Sequence, residues 1–168
     1  MVSKDENVKA KWAQVENVYQ RRADLIPNLV STVKGAAQHE QGTLTAVVEA
    51  RAKATSVTVD PSNLSEESIA QFQQAQDELS GTLSRLLVSV EAYPDLKANS
   101  NFQELQAQLE GTENRITVER KAYNDAVQDY NTTVRSFPNN IMAGIFGFKS
   151  KGTFTATPGS DKAPTVSF

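Results

Sequence analysis

Arg22-Ala23-Asp24-Leu25-Ile26-Pro27-Asn28-Leu29-Val30 is the stretch that decides how many helices this chain has. Apolar and small residues recur at helical spacing on both sides of it, from Trp12 through Val15, Tyr19, Ile26, Leu29, Val33, Ala37 and Leu44 to Val48. One helix over residues 5–55 would be about 75 Å long, longer than any later segment could cover. Inside a helix a proline loses a hydrogen bond and clashes with the preceding turn, costing about 3 kcal/mol. In a first turn behind an Asp24 cap its missing N–H costs almost nothing. The pattern therefore predicts helix one over residues 5–23 and helix two over residues 25–55.

Asp60-Pro61-Ser62-Asn63 is a turn cluster, and Ser65-Glu66-Glu67 reads as an N-cap with an acidic first turn. Helix three follows over residues 65–93. Its seam of Ile69, Phe72, Leu79, Leu83, Leu86, Val90 and Tyr93 is interrupted only by Gln76, with Gln73 expected on the exposed side, and Tyr93-Pro94 ends it. Ser100-Asn101-Phe102-Gln103 has capping-box spacing, and a 3,4 pattern runs from Phe102 through Leu105, Leu109, Thr112, Ile116, Glu119, Tyr123, Ala126, Tyr130 and Thr133 to Phe137. Pro138 stops this fourth helix, expected over residues 100–137. The expected fold is all-α: an antiparallel up-and-down four-helix bundle over residues 1–137, with an irregular C-terminal tail over residues 138–168. That tail should be pinned to the bundle by Phe146, Phe148, Phe154 and Phe168. Tyr123-Asn124 returns seven residues later as Tyr130-Asn131, which places both Asn side chains along one edge, within reach of a neighbouring helix.

The 168 residues include 17 Lys plus Arg, 20 Asp plus Glu, one His and no Cys. Disulfides, cysteine-held metals and a multi-histidine site within one chain are thereby excluded. A net charge of −3 argues against nucleic acid as a partner. Charge is nevertheless segregated: residues 1–58 carry 8 basic and 6 acidic side chains, residues 59–114 carry 2 and 10, and residues 115–168 carry 7 and 4. The acidic middle is either a solvated helix face or a docking face for a basic partner. No stretch reaches the 18 or so apolar residues of a membrane span, the longest candidate, Ile141 to Phe148, being only a short turn of helix or loop.

Six residues form a candidate polar cluster: Arg22, Asp24, His39, Glu40, Arg51 and Glu119. Glu119 falls on the seam of helix four, while Arg22, Glu40 and Arg51 fall on or beside the seams of helices one and two. A carboxylate withdrawn from water needs a partner, and arginine supplies a forked one. Partly buried ion pairs that fix register are the simplest use of such residues; a general acid or base in a polar cavity is the functional use. Glu119 is expected to be buried and to meet a donor from helix one or two. A di-iron bundle would need Glu-x-x-His, but Ala36 stands three residues before His39; His-Glu-x-x-His fails because Thr43 holds the second His position. No Gly-x-Ser-x-Gly elbow, Walker loop or Gly-x-Gly-x-x-Gly turn occurs, so no catalytic residue, cofactor or metal is assigned.

The run Trp12-Ala13-Gln14-Val15-Glu16, continued by Gln20-Arg21-Arg22-Ala23-Asp24-Leu25-Ile26-Pro27-Asn28-Leu29-Val30, resembles the hallmark of the bacterial LemA family. Thr32-Val33-Lys34-Gly35, His39-Glu40, Glu49-Ala50-Arg51, Tyr93-Pro94-Asp95-Leu96-Lys97, the block from Gln106 to Ile116 and the two Tyr-Asn pairs follow in the family's order. The resemblance spans residues 5–150. It implies an antiparallel helical bundle held at a bacterial cell membrane by a single N-terminal anchor just upstream of these residues, and it brings no established activity or catalytic residues. Lys4, Lys9 and Lys11 would face anionic headgroups there, but Asp5 and Glu6 offset much of their charge, so the anchor is expected to supply most of the membrane affinity. The functional expectation is a noncatalytic, membrane-anchored interaction or scaffold protein of the cell envelope with a protein partner. The contrasting expectation is a hydrolase or small-ligand-binding protein using a polar pocket built from the six residues above.

Overall fold

A computed structural model describes residues 2–136 and 138–155. Its secondary structure is all-helical, with no strand among those residues: α1 (Val2–Ala36), a 3₁₀ turn (Gln38–Glu40), α2 (Gln41–Ser56), α3 (Glu66–Val90), α4 (Pro94–Lys97), α5 (Ser100–Arg135) and α6 (Asn139–Phe146). Among the described residues there are six α-helices where four were expected.

The expected break at Pro27 is wrong. α1 runs unbroken through Pro27 and stops where Ala37 leaves helical space at φ −132°, ψ 68°. The preceding segment does not protrude: Val8, Trp12, Val15 and Tyr19 are buried against α5 and the start of α3. Later boundaries lie close to expectation. The Ser65 hydroxyl accepts from the Ser68 amide at 3.2 Å and caps α3. The cap of α5 is Asn99 rather than Ser100, its Oδ1 accepting from the Asn101 and Phe102 amides at 2.9 and 3.1 Å.

Pair contacts give the helix directions. Lys4 meets Asp129, Arg22 meets Glu113, and Asn101 donates to Thr32, so α1 and α5 are antiparallel along their length. Lys53 meets Glu78 and Tyr93 reaches Glu40, so α2 and α3 are antiparallel too. Helix lengths then dictate how the core is covered. α1 and α5 are each about 50 Å long, α3 near 37 Å and α2 near 24 Å. α2 can cover only half of α1, where Leu44 and Val47 join Ile26, Leu29, Val33, Leu79, Leu83, Leu86, Phe102 and Leu109 in one apolar cluster. Along the other half the chain between α2 and α3 and the segment after α6 take its place. There Val59, Leu64 and Phe154 join Trp12, Tyr19, Phe72, Ile116, Tyr123 and Tyr130.

The expected irregular tail begins instead with α6, which ends at Gly147 in the left-handed conformation (φ 75°) that glycine adopts without strain. Of its aromatics, Phe154 is buried, Phe148 half-buried and Phe146 exposed; Phe168 and the end of the expected tail lie outside the described residues, as does Phe137.

Candidate functional site

The two apolar clusters meet at a polar layer centred on Arg22. Its side chain is 1% exposed and bridges three helices. Nη2 donates to the main-chain and side-chain oxygens of Gln76 on α3 at 2.9 and 2.8 Å, and Nη1 donates to Ser80 Oγ at 2.6 Å and to Glu113 Oε2 on α5 at 3.2 Å. The guanidinium also stands 5.1 Å from the Tyr19 ring centroid. Tyr19 is buried beside it, and burial pushes its hydroxyl up to about 12, Arg120 and Arg22 pulling weakly the other way. A buried cation of this kind is stable only because nearly every donor is occupied. With Thr112, buried on α5, the layer interrupts the seams of α1, α3 and α5 at one level. Gln76 and Thr112 were visible as polar seam positions in the sequence; Glu113, one residue off the seam, carried no such mark.

The other five candidates do not join it. Arg51 Nε donates to the Ala23 carbonyl at 2.8 Å. Asp24 is exposed and accepts from Gln20 Nε2 at 2.9 Å, a contact within α1 and not an N-cap. His39 is exposed in the 3₁₀ turn. Glu40 accepts from the Tyr93 hydroxyl at 3.2 Å and from Thr43 at 3.4 Å, tying the start of α2 to the end of α3; burial and this carboxylate raise the Tyr93 pKa. Glu119 is buried as expected, yet its partner is Arg115 Nε on its own helix at 3.2 Å, not a donor from α1 or α2. An open groove of about 710 Å³ between α1 and α5 is lined by Gln14, Asn17, Arg21, Leu25, Gln108 and Arg115, and none of the six candidates lines it. Among the described residues no group of three or more His, Asp or Glu could hold a metal ion.

A second polar constellation holds the segment after α6 as an extended strap between α3 and α5. Asn131 donates to the Lys151 carbonyl at 3.0 Å and accepts from the Lys151 amide at 2.8 Å. Asn124 serves Phe154 in the same way, at 3.0 and 2.9 Å. From α3, Gln73 donates to the Thr155 carbonyl at 2.8 Å and accepts from its amide at 2.9 Å. Gln73 is therefore buried, not on the exposed side where its place off the seam put it. Between these clamps the Tyr123 hydroxyl donates to the Gly152 carbonyl at 3.0 Å, and the Gly152 amide donates to Leu64 O at 2.8 Å. The spacing explains the repeated Tyr-Asn pair. Seven residues of helix rise about 10 Å, as do three residues of extended chain, so Asn124 and Asn131 meet Phe154 and Lys151 in register. Neither Asn reaches a neighbouring helix, the partner the repeat suggested. Phe154 closes the strap by stacking on Trp12 at 6.0 Å and meeting Tyr123 edge-on at 5.5 Å.

These arrangements define a class: a helical protein whose buried polar groups lock helix register and fasten the segment that follows α6. The chain belongs to the LemA family, whose model matches residues 11–168. No curated protein matches it significantly. No helix among the described residues is long and apolar enough to cross a membrane.

Proposed function

We propose that this protein is a noncatalytic interaction or scaffold module, an up-and-down bundle of α1, α2, α3 and α5, tethered to a bacterial cell membrane through an N-terminal anchor and presenting its surface to a protein partner. The observation that carries this reading is how the polar side chains are spent. Arg22, Arg51, Glu40 and Glu119 each hold one part of the fold to another or to itself, and Asp24 and His39 stand apart in solvent. A general acid or base needs a neighbour that can accept or relay the proton beside an accessible reacting atom, and the hydrolase reading would have needed several of these groups around one cavity. The pairwise antiparallel contacts favour the bundle, and the family's resemblance supports the anchor.

Cell fractionation tests the tether: the protein carrying its native N-terminus should sediment with membranes and require detergent for release. Recovery in the soluble fraction would sink the anchoring. Affinity capture of that detergent-released protein should return the same partner from Glu119→Gln and wild type. A turnover reaction abolished by Glu119→Gln with unchanged melting would sink the noncatalytic reading.

A further inference from the structure

We propose that α6 is a second membrane contact, an interfacial helix whose outward face rests at the headgroup level of an anionic lipid surface; this deepens the membrane reading by naming a surface of the folded chain that meets lipid. At 100° per residue, Ile141, Met142, Ile145 and Phe146 fall within one arc of α6, and they are 55%, 44%, 70% and 64% exposed. The opposite side carries Ala143, 2% exposed, against the body of the protein. The helix thus turns its small side chain inward and its large apolar ones to solvent, the reverse of an ordinary surface helix.

This face is held in place. The Asn140 amide bonds back to Ser136 O at 2.8 Å, and Phe148 N bonds to Ala143 O at 2.9 Å across the Gly147 cap. The Asn131 clamp on Lys151 fixes the chain a few residues further on. α6 also lies at the end of the molecule where α1 begins. Phe146 and Asp5 line one cavity, Lys151 pairs with Asp5 at 2.8 Å, and Val2 is 65% exposed.

Charge selects the occupant. From Tyr130 to Thr155 the chain carries Arg135, Lys149 and Lys151 and no Asp or Glu. Of the nearby acids, Asp5 pairs with Lys9 and Lys151, Glu6 with Lys9 and Asp129 with Lys4, and Asp60 accepts from the Ser62 amide, while Glu66 and Glu67 stand exposed at the start of α3. Arg135 and Lys149 remain exposed beside the apolar face, Arg135 meeting the Ser150 hydroxyl. Four side chains fall short of the roughly 800 Å² per partner that a stable protein interface takes. A bilayer demands no matching shape, and apolar side chains flanked by cations are what binds its anionic interface. α6 supplies the apolar contribution that the lysines at the start of α1 lack.

The test uses the 168-residue chain, in which no helix among the described residues is long and apolar enough to cross a membrane. Co-sedimentation is measured at low salt with phosphatidylcholine vesicles and with mixed phosphatidylcholine–phosphatidylglycerol vesicles. The wild type should sediment with the mixed vesicles, lose binding as salt rises, and bind the pure zwitterionic vesicles weakly. Ile145→Asp/Phe146→Asp should reduce binding about tenfold or more, with melting unchanged because both side chains are exposed. Val118→Asp removes an equally exposed apolar side chain from α5 and should bind like wild type. Wild type left in the supernatant, or equal binding by the α6 variant, overturns the proposal. So does a concentration-dependent dimer in light scattering that the α6 variant abolishes, since a second copy would then cover this face. Failure here leaves the native N-terminus free to fractionate with membranes, so the two readings fail separately.

Discussion

Arg51 of α2 donates a 2.8 Å hydrogen bond to the carbonyl of Ala23, the acceptor that Pro27, four residues further along α1, has no N–H to serve. The proline therefore leaves its orphan inside the protein, and the guanidinium of the next long helix fills it. Ala23 is 3% exposed, so water is a poor substitute. The same bond joins α1 to α2 and explains how a helix passes through a residue that ordinarily ends one.

A double-mutant cycle follows from that relationship. Arg51→Ala should destabilise the protein by about 1–3 kcal/mol, the range for stranding a buried acceptor. Pro27→Ala restores an amide able to bond Ala23 O within the helix. Arg51→Ala should then cost less in the Pro27→Ala background, with a coupling on the order of 1 kcal/mol in urea unfolding. Strict additivity would mean that Arg51 acts through packing alone.

The Arg22 layer gives the second prediction. Arg22→Ala should cost about 3–5 kcal/mol, because it empties a buried volume and strands Gln76 and Ser80. Arg22→Met, which keeps most of the stem, should cost less. Glu113 has a side chain 28% exposed, so Glu113→Gln should be milder than Arg22→Ala, water screening part of the lost charge. An Arg22→Ala midpoint within about 1 kcal/mol of wild type would remove the layer from the account of register.

Alkaline pH is the third. Burial holds Tyr19 at about 12 and raises Tyr123 still further, against an ordinary value of 10. Between the unfolded and folded values the native state binds more protons than the unfolded one, so stability is complete below about pH 10 and falls as pH rises through the folded values. Tyrosinate absorbance should therefore show Tyr19 and Tyr123 ionising only together with loss of helical circular dichroism. Four tyrosines titrating normally in a still-folded protein would contradict their burial.

α3 and α5 were legible because their signals are local: the Ser65 cap, apolar residues at three and four, a proline after the end; only the α5 cap falls one residue earlier than its Ser100 signal, on Asn99. Pro27 misled because its compensation comes from Arg51, in a helix not yet formed when the local cost is counted. α6 reads in the sequence as no more than a short turn of helix or loop for a related reason. Its apolar run faces outward, so no periodic burial betrays it, although Pro138 before it and Gly147 after it are start and stop signals. Of the polar cluster, the sequence marked Arg22, Arg51, Glu40 and Glu119 as groups needing partners, but the pairing depended on helix register. Glu119 settled on Arg115 four residues away, and Arg22 took Glu113, Gln76 and Ser80.

The strap carries the last prediction. A Cβ on Gly152 would lie 2.6 Å from Glu66 Cα and 2.8 Å from both Glu66 N and Ser65 O, backbone atoms of the capped start of α3 that cannot swing aside. Gly152→Ala should therefore lift the strap rather than distort α3. Trp12 is the only tryptophan, and Phe154 covers it, so release of the strap should shift its emission to the red well below the main melting temperature. Amide exchange should lose protection at Lys151, Gly152, Phe154 and Thr155 first, since these amides bond to Asn131, Leu64, Asn124 and Gln73. Asn124→Ala and Gln73→Ala should each cost about 1–3 kcal/mol by leaving strap amides and carbonyls unpaired. Gly111→Ala is the control: nothing lies within 4 Å of its added Cβ in the middle of α5, and it should stabilise by up to about 1 kcal/mol. If Gly152→Ala left emission and exchange as in wild type, Glu66 would have yielded, and the strap's grip would rest on Phe154 and not on the close approach of two backbones.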